Sequence, residues 1–279
     1  MDSIVIKSPA KINIGLNILN KRDDGFHNIE TIFYPIDLFD VITLKKSDKF
    51  SFTSNDDKLN QEKTNLIIKA KEILENYLDR KLDVNISLKK QIPIGAGLGG
   101  GSANAASMML ALNELFDLKI KSSTLSELAI KLGSDVPFFI NPVPSFAESR
   151  GELLYPIKIK IKKVLLIVNP GIHIATKWAF SLIRPDYPPK SLRSFIQRDD
   201  FTIDDIMKIA SNDFEQIVFN HFPEIKEIKD KMLDFGADYS MMTGTGSTVW
   251  GMFESEEAAY QTEFFFKCKN YFTFIQNSI

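Results

Sequence analysis

Gly95, Gly97, Gly99, Gly100 and Gly101 fall within seven residues, and the run passes through Ser102 into an alanine-rich segment with helical spacing. These residue types suit the binding of an anion. Glycine lets successive backbone N–H groups turn toward one point with no Cβ in the way. A helix starting at the end of such a loop adds unpaired amides and the positive end of its dipole. Phosphate is the ligand that fits this construction best.

Similar strings serve other folds, and most of them are excluded here. Gly95-Ala96-Gly97-Leu98-Gly99-Gly100 satisfies G-x-G-x-x-G, but Gln91-Ile92-Pro93-Ile94 interrupts the strand a dinucleotide fold needs directly before it. The acidic residue about 20 positions on, Asp117, falls at an expected helix end rather than a strand end. No lysine stands between Lys90 and Lys119, which excludes a Walker loop, and the His-Arg-Asp and Asp-Phe-Gly elements of protein kinases are missing. A flexible linker or tight turn is the competing reading. The helical stretch 103–115, immediately after the loop, counts against it.

Three further clusters have residue types suited to chemistry. Pro9-Ala10-Lys11-Ile12-Asn13, with Asp24-Gly25-Phe26-His27-Asn28 downstream, puts a lysine, an amide, a ring and an imidazole near one end of a strand hairpin. Lys11 and Asn13 share a strand face, either as working groups or as the wet face of an edge strand, and His27 is either a functional imidazole or a satisfied turn residue. Asp135, in Gly133-Ser134-Asp135-Val136-Pro137-Phe138-Phe139, precedes an apolar run just beyond a helix. It is a candidate base or lysine partner, or else an aspartate that ends a helix. Thr243-Gly244-Thr245-Gly246-Ser247 is a second glycine turn, which a β-turn explains equally well.

Elements must position these groups, and the periodicities supply them. Ile12, Ile14, Leu16 and Ile18 alternate with polar or small residues, the pattern of a strand with one buried face. Further strands are expected at 31–36, 41–44, 84–88, 164–168, 247–253 and 271–275. Helices are expected at 65–78 with Thr64 or Asn65 as cap, at 103–115, at 203–210, 214–219, 223–235 with Pro at its first turn and Gly236 past its end, and 255–266. Another, 125–132, would open on the capping box Thr124 to Glu127 and close at Gly133. A Pro-rich loop covers 185–190, and the lysine-rich stretch 158–163 marks a domain boundary. The mixture points to an α+β fold in two domains, 1–158 and 159–279.

Composition sets outer limits. The chain has 279 residues, 44% apolar and 25% charged, with a net charge of −2, which argues against general binding to nucleic acid or a membrane surface. One cysteine, Cys268, excludes an internal disulfide framework and fits a reducing cytoplasm. No apolar run approaches the roughly 20 residues of a membrane span, and the first residues lack the apolar core of a signal peptide, so the chain reads as mature protein.

In this order, Pro-Ala-Lys-Ile-Asn, Asp-Gly-Phe-His-Asn, the glycine loop with Ser102-Ala103-Asn104-Ala105-Ala106, Gly-Ser-Asp-Val-Pro-Phe-Phe and Thr-Gly-Thr-Gly-Ser resemble the motifs of the GHMP small-molecule kinases. The match runs from about residue 7 to residue 253. Asn169-Pro170-Gly171 and Asn212-Asp213-Phe214-Glu215 fit the same family.

The resemblance implies a two-domain α+β architecture, a ribosomal-protein-S5-like N-terminal domain and a ferredoxin-like C-terminal domain, with the active site in the cleft between them. It implies ATP and Mg2+ as cofactors. The ATP phosphates would lie against Gly95, Ala96, Gly97, Leu98, Gly99, Gly100, Gly101 and Ser102, with Pro93 leading in and Asn65 near the base. The acceptor implied is the tertiary 2-hydroxyl of a cytidine-diphosphate-linked methylerythritol, on the non-mevalonate route to isoprenoid precursors. Asp135 would accept or orient its proton, while Lys11 keeps Asp135 ionised and offsets charge on the moving phosphoryl group. Phe26 and His27 would recognise the cytosine, with Phe180 either on the opposite ring face or packed in the core of the helix after Thr176, and Trp178 as its rival. Asn13 and Thr176 complete the acceptor side. Relatives that carry Gly-Leu-Ser-Ser-Ser place a magnesium-binding serine where this chain has glycine, so the protein ligand of the metal stays unassigned. Another family activity, on homoserine or mevalonate, and a binding protein without turnover are the two rivals.

Overall fold

The structure, a computed structural model, describes residues 1–61, 65–184, 191–195, 198 and 200–277. The expected cap Thr64 and the Pro-rich loop 185–190 lie outside them. In chain order the elements are β1 (Ser3–Lys21), β2 (His27–Lys46), β3 (Ser51–Ser54), α1 (Asp57–Gln61), α2 (Leu66–Leu78), β4 (Val84–Lys89), α3 (Gly100–Leu115) and α4 (Ser122–Ala129). A 3-10 turn at Pro137–Ile140 leads to β5 (Ser145–Ser149), β6 (Leu153–Pro156), β7 (Val164–Asn169) and α5 (Thr176–Leu182). After a 3-10 turn at Leu192–Phe195 come α6 (Ile203–Met207), α7 (Phe214–His221), α8 (Pro223–Asp234), β8 (Tyr239–Met242), β9 (Val249–Phe253), α9 (Glu256–Cys268) and β10 (Phe272–Gln276). The mixture is α+β, as expected, and no helix among the described residues is long and apolar enough to cross a membrane.

Two compact units share the chain without a single cut. The first holds Met1–Ala10, Asp37–Ile94 and Gly99–Pro142; the second holds Lys11–Ile36, Gly95–Leu98 and Val143–Ile279. Strands β1 and β2 each give residues to both, so the segments expected as separate strands at 31–36 and 41–44 are one continuous strand.

In the first unit, β4 lies between β3, parallel to it, and residues 41–46 of β2, antiparallel. Its Val84, Ile86 and Leu88 are buried and alternate with exposed Asn85, Ser87 and Lys89, the period-2 signature of a sheet with one covered face. Helix α3 is covered by α2, α4 and the Pro137–Ile140 turn, which explains why Ala103, Ala105, Ala106, Met108, Met109 and Leu112 are all buried on a helix with little polar face. It starts at Gly100, three residues before the expected position, on a left-handed Gly99. Asn65 caps α2 by accepting the Ile67 N–H at 3.0 Å. The capping box at Thr124 is a misreading: α4 begins at Ser122 after an extended Lys121, so Thr124 is already inside the first turn and no side chain caps the helix.

In the second unit, Ile29–Phe33 of β2 pairs antiparallel with β5, which pairs with β6. A separate antiparallel sheet runs β10-β7-β9-β8. Every residue of β7 and β9 is buried, with α8 and α9 packed against this sheet. Ser255 caps α9 and Gly236, at φ 96, follows α8, as the sequence signals require.

Candidate functional site

From Ala10 to Ile18 every residue of β1 is buried. The wet-edge reading of Lys11 and Asn13 therefore fails; the two are 3% and 2% exposed. What covers them, within the second unit, is the pair of glycine segments. Lys11 N–H donates to the Leu98 carbonyl at 3.0 Å and Thr248 N–H to the Ala96 carbonyl at 3.4 Å. The Gly97 carbonyl accepts from Lys11 Nζ at 3.3 Å and from Thr243 Oγ1 at 3.2 Å. Lys11 Nζ also donates to Asn13 Oδ1 at 2.5 Å and lies 4.9 Å from the Phe33 ring centre.

These inward carbonyls decide where the amides go. In a trans peptide the N–H points opposite to the C=O. Three consecutive carbonyls turned toward β1 and the Thr243 turn therefore aim the Gly97, Leu98 and Gly99 amides the other way, as an anion cradle requires. Positive φ at Gly95 (66°), Gly97 (78°) and Gly99 (72°) makes the path possible. A Cβ on Gly97 would lie 2.2 Å from the Thr243 carbonyl oxygen. Buried Ala96 and Leu98 anchor the loop between the glycines.

The second glycine turn, weak as a motif, is thus the backing of the first. Asn13 N–H donates to Thr243 Oγ1 at 2.9 Å, and Trp250 Nε1 to the Asn13 carbonyl at 3.1 Å. Asn212 Nδ2 holds the Met242 and Gly244 carbonyls at 2.8 and 2.9 Å, and Asn169 Nδ2 reaches Ser247 and Thr248. Thr176 Oγ1, at the start of α5, lies 3.4 Å from Thr245 Oγ1. Sequence reasoning missed His173: a Cβ on Gly95 would come within 2.5 Å of its Nδ1, so the imidazole lies against the start of the loop. Only its place shortly after Asn169-Pro170-Gly171 hinted at it.

In the first unit, α3 begins at Gly100 and its first intrahelical bond is Ala103 N–H to the Gly99 carbonyl at 2.9 Å. The amides of Gly100, Gly101 and Ser102 have no acceptor within the helix, and no side chain caps them. Asn65 Nδ2 is a buried donor with no hydrogen-bond acceptor among the described residues. Pro93 ends the segment before the loop. Asp135 sits half-buried in the turn between α4 and Pro137–Ile140, fixed by fully buried Val136 and by the Val136 N–H to Gly133 carbonyl bond at 3.2 Å.

The predicted base-recognition residues are held by rings. His27 stacks on Phe180 at 5.1 Å between centres, with the planes 29° apart, and Phe180 meets the buried Phe214 edge-on at 4.9 Å. Those two rings touch directly, with no room for a third between them. Burial, followed by the charge of Lys21, lowers the His27 pKa. Phe26 is 52% exposed on the turn that follows β1, with the Arg150 guanidinium 4.8 Å from its ring centre. Asp24 holds that turn through the Phe26 N–H and the Arg22 guanidinium. Trp178 packs edge-on against His221 and Phe222 instead. Among the described residues no group of three or more His, Cys, Asp or Glu side chains forms a metal cluster.

The model of the GHMP kinases N terminal domain matches residues 65–141, and that of the GHMP kinases C terminal region matches 192–271. A curated relative from Bacteroides fragilis, 4-diphosphocytidyl-2-C-methyl-D-erythritol kinase, is 43% identical over 261 residues, 91% of this chain and 94% of the relative. The crystal structure of a 4-(cytidine 5'-diphospho)-2C-methyl-D-erythritol kinase superimposes with a TM-score of 0.79 at 28% identity, covering 98% of both chains. Homoserine kinase from Cytophaga hutchinsonii, at 17% identity and a TM-score of 0.65 over 100% of this chain and 95% of its own, shares the fold.

Proposed function

This chain belongs to the GHMP kinase family, and from that premise we propose that it transfers the γ-phosphoryl group of ATP to the 2-hydroxyl of 4-diphosphocytidyl-2-C-methyl-D-erythritol. The observation that carries the reading is the buried Lys11 ammonium, tied to Asn13 and to the Gly97 carbonyl beneath a loop whose amides face outward. The names of the relatives supply the acceptor.

In this reading residues 1–158 carry the ATP-binding and catalytic groups and 159–279 contribute to substrate binding, a division of roles that the interleaved compact units cross. The loop from Gly95 to Ser102 takes the triphosphate on backbone amides and on the positive end of α3. The orphaned Asn65 Nδ2 would donate to a purine ring nitrogen, which is the fit expected of a nucleotide base. Asp135 accepts or orients the proton of the acceptor hydroxyl as its oxygen attacks the γ-phosphorus and the bridging oxygen leaves with ADP. Lys11 offsets charge on the group in transfer, a fixed electrostatic role that needs no proton movement. Asn13 holds Lys11 in place. His27 and Phe26 read the cytosine, His27 by hydrogen bonding from a ring fixed on Phe180, with Thr176 one turn before Phe180 on α5.

Mg2+ bound with ATP would offset the negative charge of the triphosphate. Ser102 is the hydroxyl nearest the run of glycines that replaces the magnesium-binding serine of other family loops. The single cysteine and the absence of a membrane-crossing helix among the described residues are in keeping with a cytoplasmic site of action.

Incubating the pure protein with labelled ATP, Mg2+ and a panel of alcohols tests the reading. Turnover confined to the cytidylylated methylerythritol is the expected result. Turnover with homoserine or mevalonate, or binding without turnover, overturns it.

A further inference from the structure

Lys90, Gln91 and Ile92, just before the glycine loop, carry contacts that phosphoryl transfer itself does not use. They lie past the end of β4, whose pairing with β2 stops at Lys89. Side chains replace the missing strand. Asn55 accepts the Lys90 N–H at 2.6 Å and donates to the Lys90 carbonyl at 3.1 Å. Asp40 Oδ1 accepts the Gln91 and Ile92 N–H groups at 2.7 and 2.8 Å. Lys90 Nζ donates to Asp40 Oδ2 at 2.7 Å and turns back to the Ile92 carbonyl at 2.5 Å. Five of the six backbone N–H and C=O groups of residues 90–92 are held in this way.

The Asp40–Lys90 ion pair is almost dry, with Asp40 fully buried and the Lys90 side chain 8% exposed. Burial lowers the Lys90 pKa even against the pull of Asp40. Buried ion pairs are weak contributors to stability, since apolar replacements are often neutral or better. A reason beyond stability is offered by Gly100, the first residue of α3. A Cβ there would lie 3.0 Å from Ile92 Cγ2 and 3.1 Å from Lys90 Nζ. Residues 90–92 therefore form the floor under the uncapped end of the helix, with a cation where the helix dipole alone disfavours one and a bound polyanion welcomes it. Asp40, Asn55, Lys90, Ile92 and Gly100 all belong to the first unit.

We propose that the Asp40–Lys90 pair is a positioning element for the phosphate loop, which sets affinity for the triphosphate by fixing the backbone of residues 90–92 beneath Gly100 and holding a buried positive charge there. The proposal rests on the nucleotide role assigned to that loop. The pair acts through the loop and takes no part in the chemical step. Preorganisation of this kind appears in binding, because the ordering cost is met before the ligand arrives.

The test uses the full chain and two probes, ATP in steady-state kinetics and a non-hydrolysable ATP analogue in calorimetry. The double variant Asp40→Asn with Lys90→Met removes both charges and leaves no lone buried ion. It should weaken analogue binding and raise the ATP KM by about tenfold, while the acceptor KM changes by less than about twofold. Lys90→Arg, which keeps the charge, should stay within about threefold of the original ATP KM. Asn55→Ala, at an exposed position, keeps the protein folded and should raise the ATP KM by about threefold. Unchanged analogue affinity in a folded double variant overturns the proposal, as does an equal rise of both KM values in Asn55→Ala. If the double variant does not fold, Asn55→Ala decides. Should the original protein phosphorylate none of the alcohols yet lose analogue affinity on these substitutions, the proposed reaction fails and the positioning role stands.

Discussion

The cradle at residues 95–98 and the platform at His27 and Phe180 belong to the same compact unit but are built from different materials. The cradle is backbone: its carbonyls are tied to β1 and to the Thr243 turn, and the space beside Gly97 is already occupied by another main chain. The platform is side chain, a His27 ring on Phe180 on Phe214, with Phe26 exposed beside Arg150. Main-chain geometry cannot yield by a rotamer change, whereas rings can be replaced by other rings. Substitutions on the cradle should therefore act all or none, and those on the platform by degrees.

Asp135→Asn sharpens the comparison from outside both regions. It should cut kcat by about a thousandfold, the contribution of a positioned acid–base group, while the ATP KM moves less than about twofold. A near-normal kcat in steady-state assays removes Asp135 from the chemistry.

Gly97→Ala should come next. Its Cβ meets a backbone oxygen 2.2 Å away and its φ of 78° disfavours an L side chain, so the loop must shift. An ATP KM raised by about a hundredfold is expected, with a lowered melting temperature in the same preparation. A variant with ordinary ATP affinity would show that the cradle is as forgiving as the platform.

His27→Ala should raise the acceptor KM by about tenfold and leave the ATP KM unchanged, as loss of one ring contact does. His27→Phe keeps the stack and should recover part of that loss. A larger effect on ATP than on the acceptor would place His27 on the wrong ligand.

The same histidine makes a smaller, pH-dependent difference. Its folded pKa lies below the ordinary 6.5, because burial and then Lys21 disfavour the imidazolium. The unfolded chain therefore binds the proton more readily, and the stability linked to His27 is complete above pH 6.5 and lost as pH falls through the lowered folded value. Thermal melts of the original protein and of His27→Phe should converge in behaviour above pH 7 and separate below 6, the original losing more. Parallel curves across that range refute the assignment. Smallest of all, Phe26→Tyr should change the acceptor KM by less than about twofold, since an exposed ring keeps its face and gains only a hydroxyl.

Local chemistry carried much of this into the sequence. The glycine loop with a helix behind it, the Asn65 cap, the stop at Gly236 and the alternation of Val84 to Leu88 depend on neighbours a few residues apart, and each is found where its pattern places it. The Thr124 capping box failed for a local reason as well, because Ser122 and Ser123 extend the helix by a turn that propensity alone does not separate from a cap.

Burial of Lys11 and Asn13, the backing of one glycine turn by another 146 residues away, the imidazole of His173 against Gly95 and the side-chain clamp on residues 90–92 were decided only in three dimensions. An alternating strand announces which residues share a face, but what covers that face is contributed by chain far away in sequence. The chain on its own determined which backbone segments are free to bend and which are bound to coil. Folding determined which of their polar groups turn inward to partners, and so which amides are left facing out, where we propose that they hold an anion.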